Sequence, residues 1–230
     1  MKKFALAVTG VAGLVGLLAS APAAALPNCT TTVNFPTGNG AVLLTDLADS
    51  MTGMWTGECV QTQDKLWGDF TIDTKMFTTL ATVSFGLQNI NGQDHHQISF
   101  NSGYQTGDSY DLSFSVTVNP PGNFIFEFDG DFTQSAGGPS TLIKNTNPTG
   151  NPATGINWVK NGAVGAGTFQ LFYGPGTTSL FVTESLTDNG AISSITNTVI
   201  QGFPAPEPGS LALLGLGLSA LGLFRRRKTT

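Results

Sequence analysis

The sequence predicts an all-β protein: a single antiparallel β-sandwich, jelly-roll-like or related, with a closed barrel as the runner-up for the same strands. Three observations carry this. Apolar residues alternate with Ser and Thr, as at Leu112, Phe114, Val116 and Val118, which gives a strand one apolar and one polar face. Turn-forming clusters such as Gly174-Pro175-Gly176 and Asp188-Asn189-Gly190 separate these runs. Residues that favour helix are sparse, while Gly and Pro (29 and 12 of 230 residues) stay below the level of a disordered low-complexity chain.

The first element is not part of the body. Lys2 and Lys3 precede an apolar stretch from Phe4 to Leu18 and small residues through Ala25. This pattern is a secretory signal peptide over residues 1–25, with Ala23-Ala24-Ala25 as the cleavage box. It implies the Sec export machinery and signal peptidase as partners, and a body over residues 26–203. Export makes the two cysteines, Cys29 and Cys59, a disulfide pair. Closing a loop of that length stabilises by roughly 3 kcal/mol in the chain-entropy account. Redox chemistry is disfavoured, because no Cys-x-x-Cys occurs, and the cysteines and histidines lack zinc spacing.

Along the body, a short helix is expected near Leu43–Met51. Strands follow at Gly68–Thr74, Thr79–Leu87 and Gln97–Phe100, with Asn91-Gly92 as a hairpin turn. Leu112–Val118 and Phe124–Phe128 are joined by Pro120-Pro121-Gly122-Asn123, which predicts an antiparallel hairpin. Gly130 to Gly155 is the least patterned region and reads as a long mobile loop. Further strands are expected at Ile156–Val159, Thr168–Tyr173, Leu180–Leu186 and Ala191–Ile200.

The body holds four lysines against fourteen acidic residues, close to −10, which leaves no electrostatic case for binding nucleic acid or anionic lipid. Glu127, Asp129 and Asp131 share one face of a strand through their i, i+2, i+4 spacing. As hard oxygen ligands they suit Ca²⁺, although no twelve-residue calcium loop is present, and a solvated strand face is the simpler reading. No other cofactor is implied. Glu58, Glu127 and Glu184, the glutamates of the body, could supply a glycosidase pair, which needs carboxyls roughly 5 to 9.5 Å apart. His95 and His96 follow the Asn91-Gly92 turn. On a strand they would point to opposite faces and not grip one metal ion; a loop would relax that limit, and exposed polar residues are the simpler reading. Trp55, Trp67 and Trp158 could form a sugar-stacking platform or belong to the core. No Gly-x-Ser-x-Gly elbow, phosphate-binding glycine loop or His-Glu-x-x-His occurs. The body is therefore expected to be non-catalytic.

The C-terminus carries the most specific signal. Pro206-Glu207-Pro208 is followed by sixteen uncharged residues, 209–224, and then by Arg225, Arg226, Arg227 and Lys228. Sixteen helical residues rise about 24 Å against a hydrocarbon core of about 30 Å, a gap that snorkelling Arg and Lys narrow. The basic stop favours a cytoplasmic C-terminus for this transmembrane helix. Residues 204–230 resemble the PEP-CTERM sorting signal of exported bacterial proteins. The resemblance implies recognition at Pro206, Glu207 and Pro208 by a membrane-embedded exosortase, with processing near them. It implies passage through the cytoplasmic membrane to the cell surface, outer envelope or exopolysaccharide matrix, where extracellular polysaccharide is a potential partner. Within the body, Cys59-Val60-Gln61, Asp64-Lys65-Leu66-Trp67-Gly68-Asp69-Phe70 and Leu180-Phe181-Val182-Thr183-Glu184 are similar to stretches of one common group of such proteins, which implies a secreted β-rich body and no particular activity.

Overall fold

A computed structural model describes residues 27–119, 123–148 and 153–202. The expected signal peptide, the Pro-Glu-Pro motif, the expected helix over 209–224 and the basic stop lie outside them. Among the described residues, no helix is long and apolar enough to cross a membrane.

The chain forms β1 (Thr31–Phe35), β2 (Gly40–Leu43), α1 (Leu44–Leu47), β3 (Glu58–Thr62), β4 (Lys65–Ile72), β5 (Thr82–Ile90) and β6 (Gln93–Asn101). It continues through β7 (Ser109–Val118), β8 (Phe124–Gly137), β9 (Ser140–Pro148), β10 (Thr154–Asn161), β11 (Val164–Thr168), β12 (Gln170–Phe172), β13 (Ser179–Thr187) and β14 (Gly190–Gly202). One sheet runs β1-β3-β4-β7-β13-β9-β10-β11 and the other β12-β8-β14-β6-β5-β2. This is the expected all-β, two-sheet sandwich, with one departure: β1 pairs with β3 in parallel. The chain leaves β1, adds β2 to the opposite sheet and returns through α1, so β3 re-enters in the same direction. The expected helix shrinks to the single turn of α1, where the Leu43 N–H donates to Asp46 Oδ2 at 3.2 Å.

The core follows from alternation. Leu112, Phe114, Val116 and Val118 of β7 face Ile98 and Phe100 of β6, Phe128 and Phe132 of β8, and Ile195 and Val199 of β14, all buried in one cluster. Phe114 sits at the centre of an aromatic group, its ring 5.7 Å from Phe100, 6.1 Å from Trp67 and 6.4 Å from Phe70. Each such pair adds about 0.5–1.5 kcal/mol beyond its area burial.

Two expectations are corrected. Leu112–Val118 and Phe124–Phe128 do not pair as a hairpin: β7 pairs with β4 and β13, and β8 with β12 and β14. Turn chemistry dictates a chain reversal but not that its two legs bond to each other. Here the legs enter opposite sheets and turn their apolar faces towards one another across the core. The segment Gly130–Gly155 is not one long loop either. β8 continues to Gly137 and β9 occupies Ser140–Pro148. Its pattern was hidden because β9 turns the polar Ser140, Lys144 and Thr146 inward beside Leu142 and turns Ile143 outward, which breaks the usual alternation. The Asn91-Gly92 hairpin forms as expected, joining β5 to β6 with φ of 55° and 81°; both central residues of a type I′ turn need this left-handed region.

Candidate functional site

The outer face of the six-stranded sheet gathers the polar and titratable residues. Register alone places Gln88, His95, Ile200, Glu127 and Phe172 in one row across β5, β6, β14, β8 and β12. The next row is Gly86, Gln97, Thr198, Asp129 and Gln170, and the third contains Ser84, Ser99, Thr196 and Asp131. A depression of about 200 Å³ opens there, lined by Gln88, Ile90, His95, Gln97, Asp129 and Thr198. The eight-stranded sheet has a shallower counterpart of about 310 Å³ around Thr71, Asp111, Ser113, Ile143, Asn145 and Thr183.

Glu127, Asp129 and Asp131 share this outer face, as their spacing requires, but each is drawn to its own partners. Gln170 Nε2 donates to Glu127 Oε1 at 2.7 Å. Trp158 Nε1 donates to Asp131 Oδ1 at 2.9 Å, and Lys160 Nζ lies 2.6 Å from the same oxygen. Burial pushes the Glu127 carboxyl above the usual carboxylate range, and the neighbouring Asp129 adds to this. Asp129 is also raised, first by burial, with a hydrogen bond from Thr198 opposing. Among the described residues, no three His, Cys, Asp or Glu side chains are grouped to hold a metal ion.

The three tryptophans do not assemble into one platform, and Trp67 and Trp55 belong to the core and its margin. Trp67 is fully buried, with Nε1 donating to Thr62 Oγ1 at 2.8 Å. Trp55 is half-buried against the core and donates to the Glu58 carbonyl at 2.8 Å. Only Trp158 stands beside the candidate face, 5.0 Å from the half-exposed Phe169. Sequence reading missed the exposed aromatic pair at the opposite end of β12. There Phe172, 64% exposed, packs edge-on against Phe126 at 5.7 Å. A register shift between Ile200 and Gln201 breaks the alternation on β8, so Phe126 faces out while Phe128 stays in. Glu184 is buried inside the sandwich and cannot partner Glu127 across a sugar cleft.

His95 and His96 part as adjacent strand residues do, but only His95 is outward. His96 is buried in the core rather than exposed, because alternation on β6 turns it inward with Ile98 and Phe100. His96 Nε2 lies 3.4 Å from Asp64 Oδ1, in a cluster where Lys65 Nζ contacts Asp64 Oδ1 at 2.7 Å and Gln201 Oε1 at 2.6 Å. Burial lowers the His96 pKa to about 4 and Lys65 pushes the same way, against Asp64, Asp94 and Gln201. The unfolded chain therefore binds a proton that the folded chain refuses between about pH 6.5 and 4. The stability owed to neutral His96 is full above pH 6.5 and is lost as pH falls through this window. Relative to a His96→Gln variant, the wild type is expected to lose roughly 2–3 kcal/mol between pH 7 and 4.5, read from denaturant midpoints.

Sequence reading also missed a polar cluster spanning the two sheets. Lys144 of β9 and Glu184 of β13 are direct cross-strand partners, both pointing inward. Lys144 Nζ lies 3.1 Å from Glu184 Oε1, 3.1 Å from the Thr196 carbonyl and 2.5 Å from Asn197 Oδ1, the last two on β14 of the opposite sheet. Lys144 and Asn197 are 0% exposed and Glu184 3%. Gly130 makes room for the lysine: a Cβ there would meet Lys144 Cε at 2.4 Å. Burial lowers the Lys144 pKa and raises that of Glu184, so each is moved towards its neutral form.

Cys29 and Cys59 form the expected disulfide.

Comparison with known proteins adds one sequence match. The PEP-CTERM protein-sorting motif matches residues 204–228. No curated protein matches the chain. Among solved structures it is similar to TmCBM61 in complex with β-1,4-galactotriose, at 12% identity over 60% of this chain and 88% of that one, with a TM-score of 0.32. It is similar to TmCBM27, a carbohydrate-binding module with specific mannan recognition, at 9% identity over 73% and 96%, TM-score 0.29. A third is the family 11 carbohydrate-binding module from Clostridium thermocellum in complex with a β-1,3-1,4-mixed-linked tetrasaccharide, at 14% identity over 61% and 90%, TM-score 0.24. Superpositions this loose define neither a shared topology nor a shared site.

Proposed function

The chain carries a PEP-CTERM protein-sorting motif, and from that premise we propose that it is an exported protein delivered to the cell surface or exopolysaccharide matrix as a non-catalytic structural or adhesive component. Sec exports the N-terminus and signal peptidase releases it near Ala25. The apolar segment 209–224 holds the chain in the cytoplasmic membrane with its basic end inside. An exosortase then reads Pro206-Glu207-Pro208 and processes the chain near them. The single observation behind this is the three-part order of motif, apolar run and basic stop at residues 204–228. The disulfide suits such an oxidising destination.

Intact mass and cell fractionation of the mature protein test this reading against a Glu207→Ala variant. The wild type is expected to begin near Leu26, to lack the segment after Pro208 and to leave the cytoplasmic membrane. A wild-type chain that keeps its whole tail in that membrane, unchanged by Glu207→Ala, would reduce the motif to an ordinary anchor.

A second reading, carbohydrate binding, is favoured by the outer face of the six-stranded sheet. Its depression offers amide, hydroxyl, imidazole and carboxyl groups, and the exposed Phe126–Phe172 pair stands on the same sheet, with Phe172 paired to Glu127. Sugar hydroxyls need such donors and acceptors, and sugar rings pack on aromatic surfaces. Binding of the mature protein to matrix polysaccharides on a glycan array is expected to fall at least about tenfold in Phe172→Ala and in Asp129→Asn, on the order of 1.4 kcal/mol. Silence across the array removes this reading and leaves the sorting reading standing. Release of reducing sugar, abolished in Glu127→Gln, would replace it with a hydrolase.

A further inference from the structure

The geometry points to an intramolecular amide cross-link between Lys144 Nζ and Asn197 Cγ, made by the protein itself with Glu184 as the proton carrier, that ties β9 of one sheet to β14 of the other. A primary amine, a carboxamide and a carboxyl group meet here in a site closed to water. Lys144 Nζ is 2.5 Å from Asn197 Oδ1 and 3.1 Å from Glu184 Oε1. An amine hydrogen-bonded to the amide oxygen stands near the roughly 3–3.5 Å of a near-attack arrangement, and rotation of the amide presents its carbon. Burial in a fixed geometry substitutes for a high concentration of reactants.

The remaining bonds leave the reaction free to run. Glu184 Oε2 and Asn197 Nδ2 are buried without a well-formed hydrogen bond, although the amide lies near enough to the carboxyl to help lower its pKa. Both reacting groups are shifted in the useful direction. Burial favours the free amine of Lys144, which is the nucleophile, and the protonated Glu184, which is the acid. Gly130 leaves open the space through which the lysine chain crosses the core, since a Cβ would lie 2.8 Å from Nζ. The Phe128 ring, 5.9 Å from Nζ, walls the site with apolar surface.

The balance closes without a co-reactant. Neutral Nζ attacks Asn197 Cγ while Glu184 protonates Oδ1. The carboxylate then takes a proton from Nζ. Glu184 gives that proton to Nδ2 and takes the one on Oδ1 as the carbonyl re-forms, so the Cγ–Nδ2 bond breaks and ammonia leaves. One C–N bond forms, one breaks, nothing is oxidised or reduced, and Glu184 ends as it began. The other buried lysine provides an internal contrast. Lys65 also meets a carboxamide, Gln201, at 2.6 Å, but its acid, Asp64, is partly open to solvent with a side-chain exposure of 23%. No cross-link is expected there.

The test is a peptide map of the mature protein isolated from its native host, reduced and digested with trypsin under denaturing conditions. Expected is a branched species in which the peptide containing Asn197 is joined to the chain at Lys144, with no cleavage after Lys144, and with the summed mass lowered by about 17 Da, one ammonia. Cleavage after Lys144 at full peptide mass overturns the proposal. So does a 17-Da loss confined to the Asn197 peptide, which marks a succinimide, or a cross-link at Lys65 instead. A Glu184→Gln variant is expected to yield the two peptides unjoined; a cross-link retained in that variant overturns the role given to Glu184. The wild-type map decides the bond itself even where this variant does not fold.

Discussion

Lys144→Met is expected to destabilise the mature protein by about 3–5 kcal/mol or more, read as a lower denaturant midpoint. Lys144 donates to Glu184, the Thr196 carbonyl and Asn197 from within a fully closed core. Methionine matches its volume, so packing changes little. What is lost is the partner of a buried carboxyl and the donor for two buried oxygens, and leaving such groups unmet is the costly event. The double variant Lys144→Met/Glu184→Leu separates two contributions. Replacing a buried pair by apolar side chains is often neutral or better, so the double variant recovers the part due to the orphaned carboxyl. It does not recover a cross-link. A covalent tie between residues 53 apart in sequence is worth roughly 4 kcal/mol by loop closure. The Thr196 carbonyl and Asn197 Oδ1 stay without their donor in the double variant, so a shortfall is attributed to a cross-link only where the peptide map also shows Lys144 joined to Asn197. A double variant that returns to wild-type stability fits an ion pair alone.

This cluster also marks the limit of what the sequence discloses. β7 alternates in the ordinary sense and was legible because Leu112, Phe114, Val116 and Val118 carry its apolar face without interruption, and so was β13, where Leu180, Val182 and Leu186 outweigh the one inward Glu184. β9 was not, because Lys144 and Thr146 occupy inward positions where alternation expects apolar residues. Lysine is almost never fully buried without a partner, and the partners Glu184 and Asn197 arrive from two other strands, 40 and 53 residues away. Gly130 held the one local hint: a glycine inside a strand marks a bulge or a close approach, and here it marks the passage of the Lys144 side chain. The turn signal in the sequence at Pro120–Asn123 failed as a guide to pairing for a different reason, since pairing of β7 with β13 and of β8 with β14 is decided by long-range register.

The candidate face was half legible. The i, i+2, i+4 spacing of Glu127, Asp129 and Asp131 correctly placed them on one side of β8. Spacing along one strand cannot disclose that Gln170, Trp158 and Lys160 come from neighbouring elements to engage them. Nor can it disclose that β6 and β14 add His95, Gln97 and Thr198 beside Asp129. The simpler reading of the tryptophans as core or its margin holds for Trp67 and Trp55, whereas the exposed aromatic surface is made by phenylalanines at a bulge and on a three-residue edge strand.

Removing the disulfide, as Cys29→Ala/Cys59→Ala, is expected to cost about 3–4 kcal/mol, since a sequence separation of 30 sets the closed loop. Much of this acts on the unfolded chain, but the native structure also predicts where the damage shows. Cys59 is fully buried on β3, and the neighbouring Gly68 lies so close to Pro27 and Cys59 Sγ that a Cβ there would fall 2.8 and 2.9 Å from them. The bridge thus fastens the start of the described chain to the sandwich just ahead of β1. β1 itself is an edge strand held by β3 alone, in parallel register, with no fully buried residue. With the bridge gone, β1 keeps only that ladder and a half-buried Val33 and Phe35 to hold it. Amide exchange at Thr32–Phe35 is therefore expected to accelerate well before the global unfolding limit, while amides of β7, β13 and β14 continue to report global stability. Hydrogen exchange of the reduced, alkylated protein against the oxidised one checks this. Equal protection of β1 in both would mean that the bridge acts only on the unfolded chain, and that the parallel pairing with β3 is enough to hold the edge.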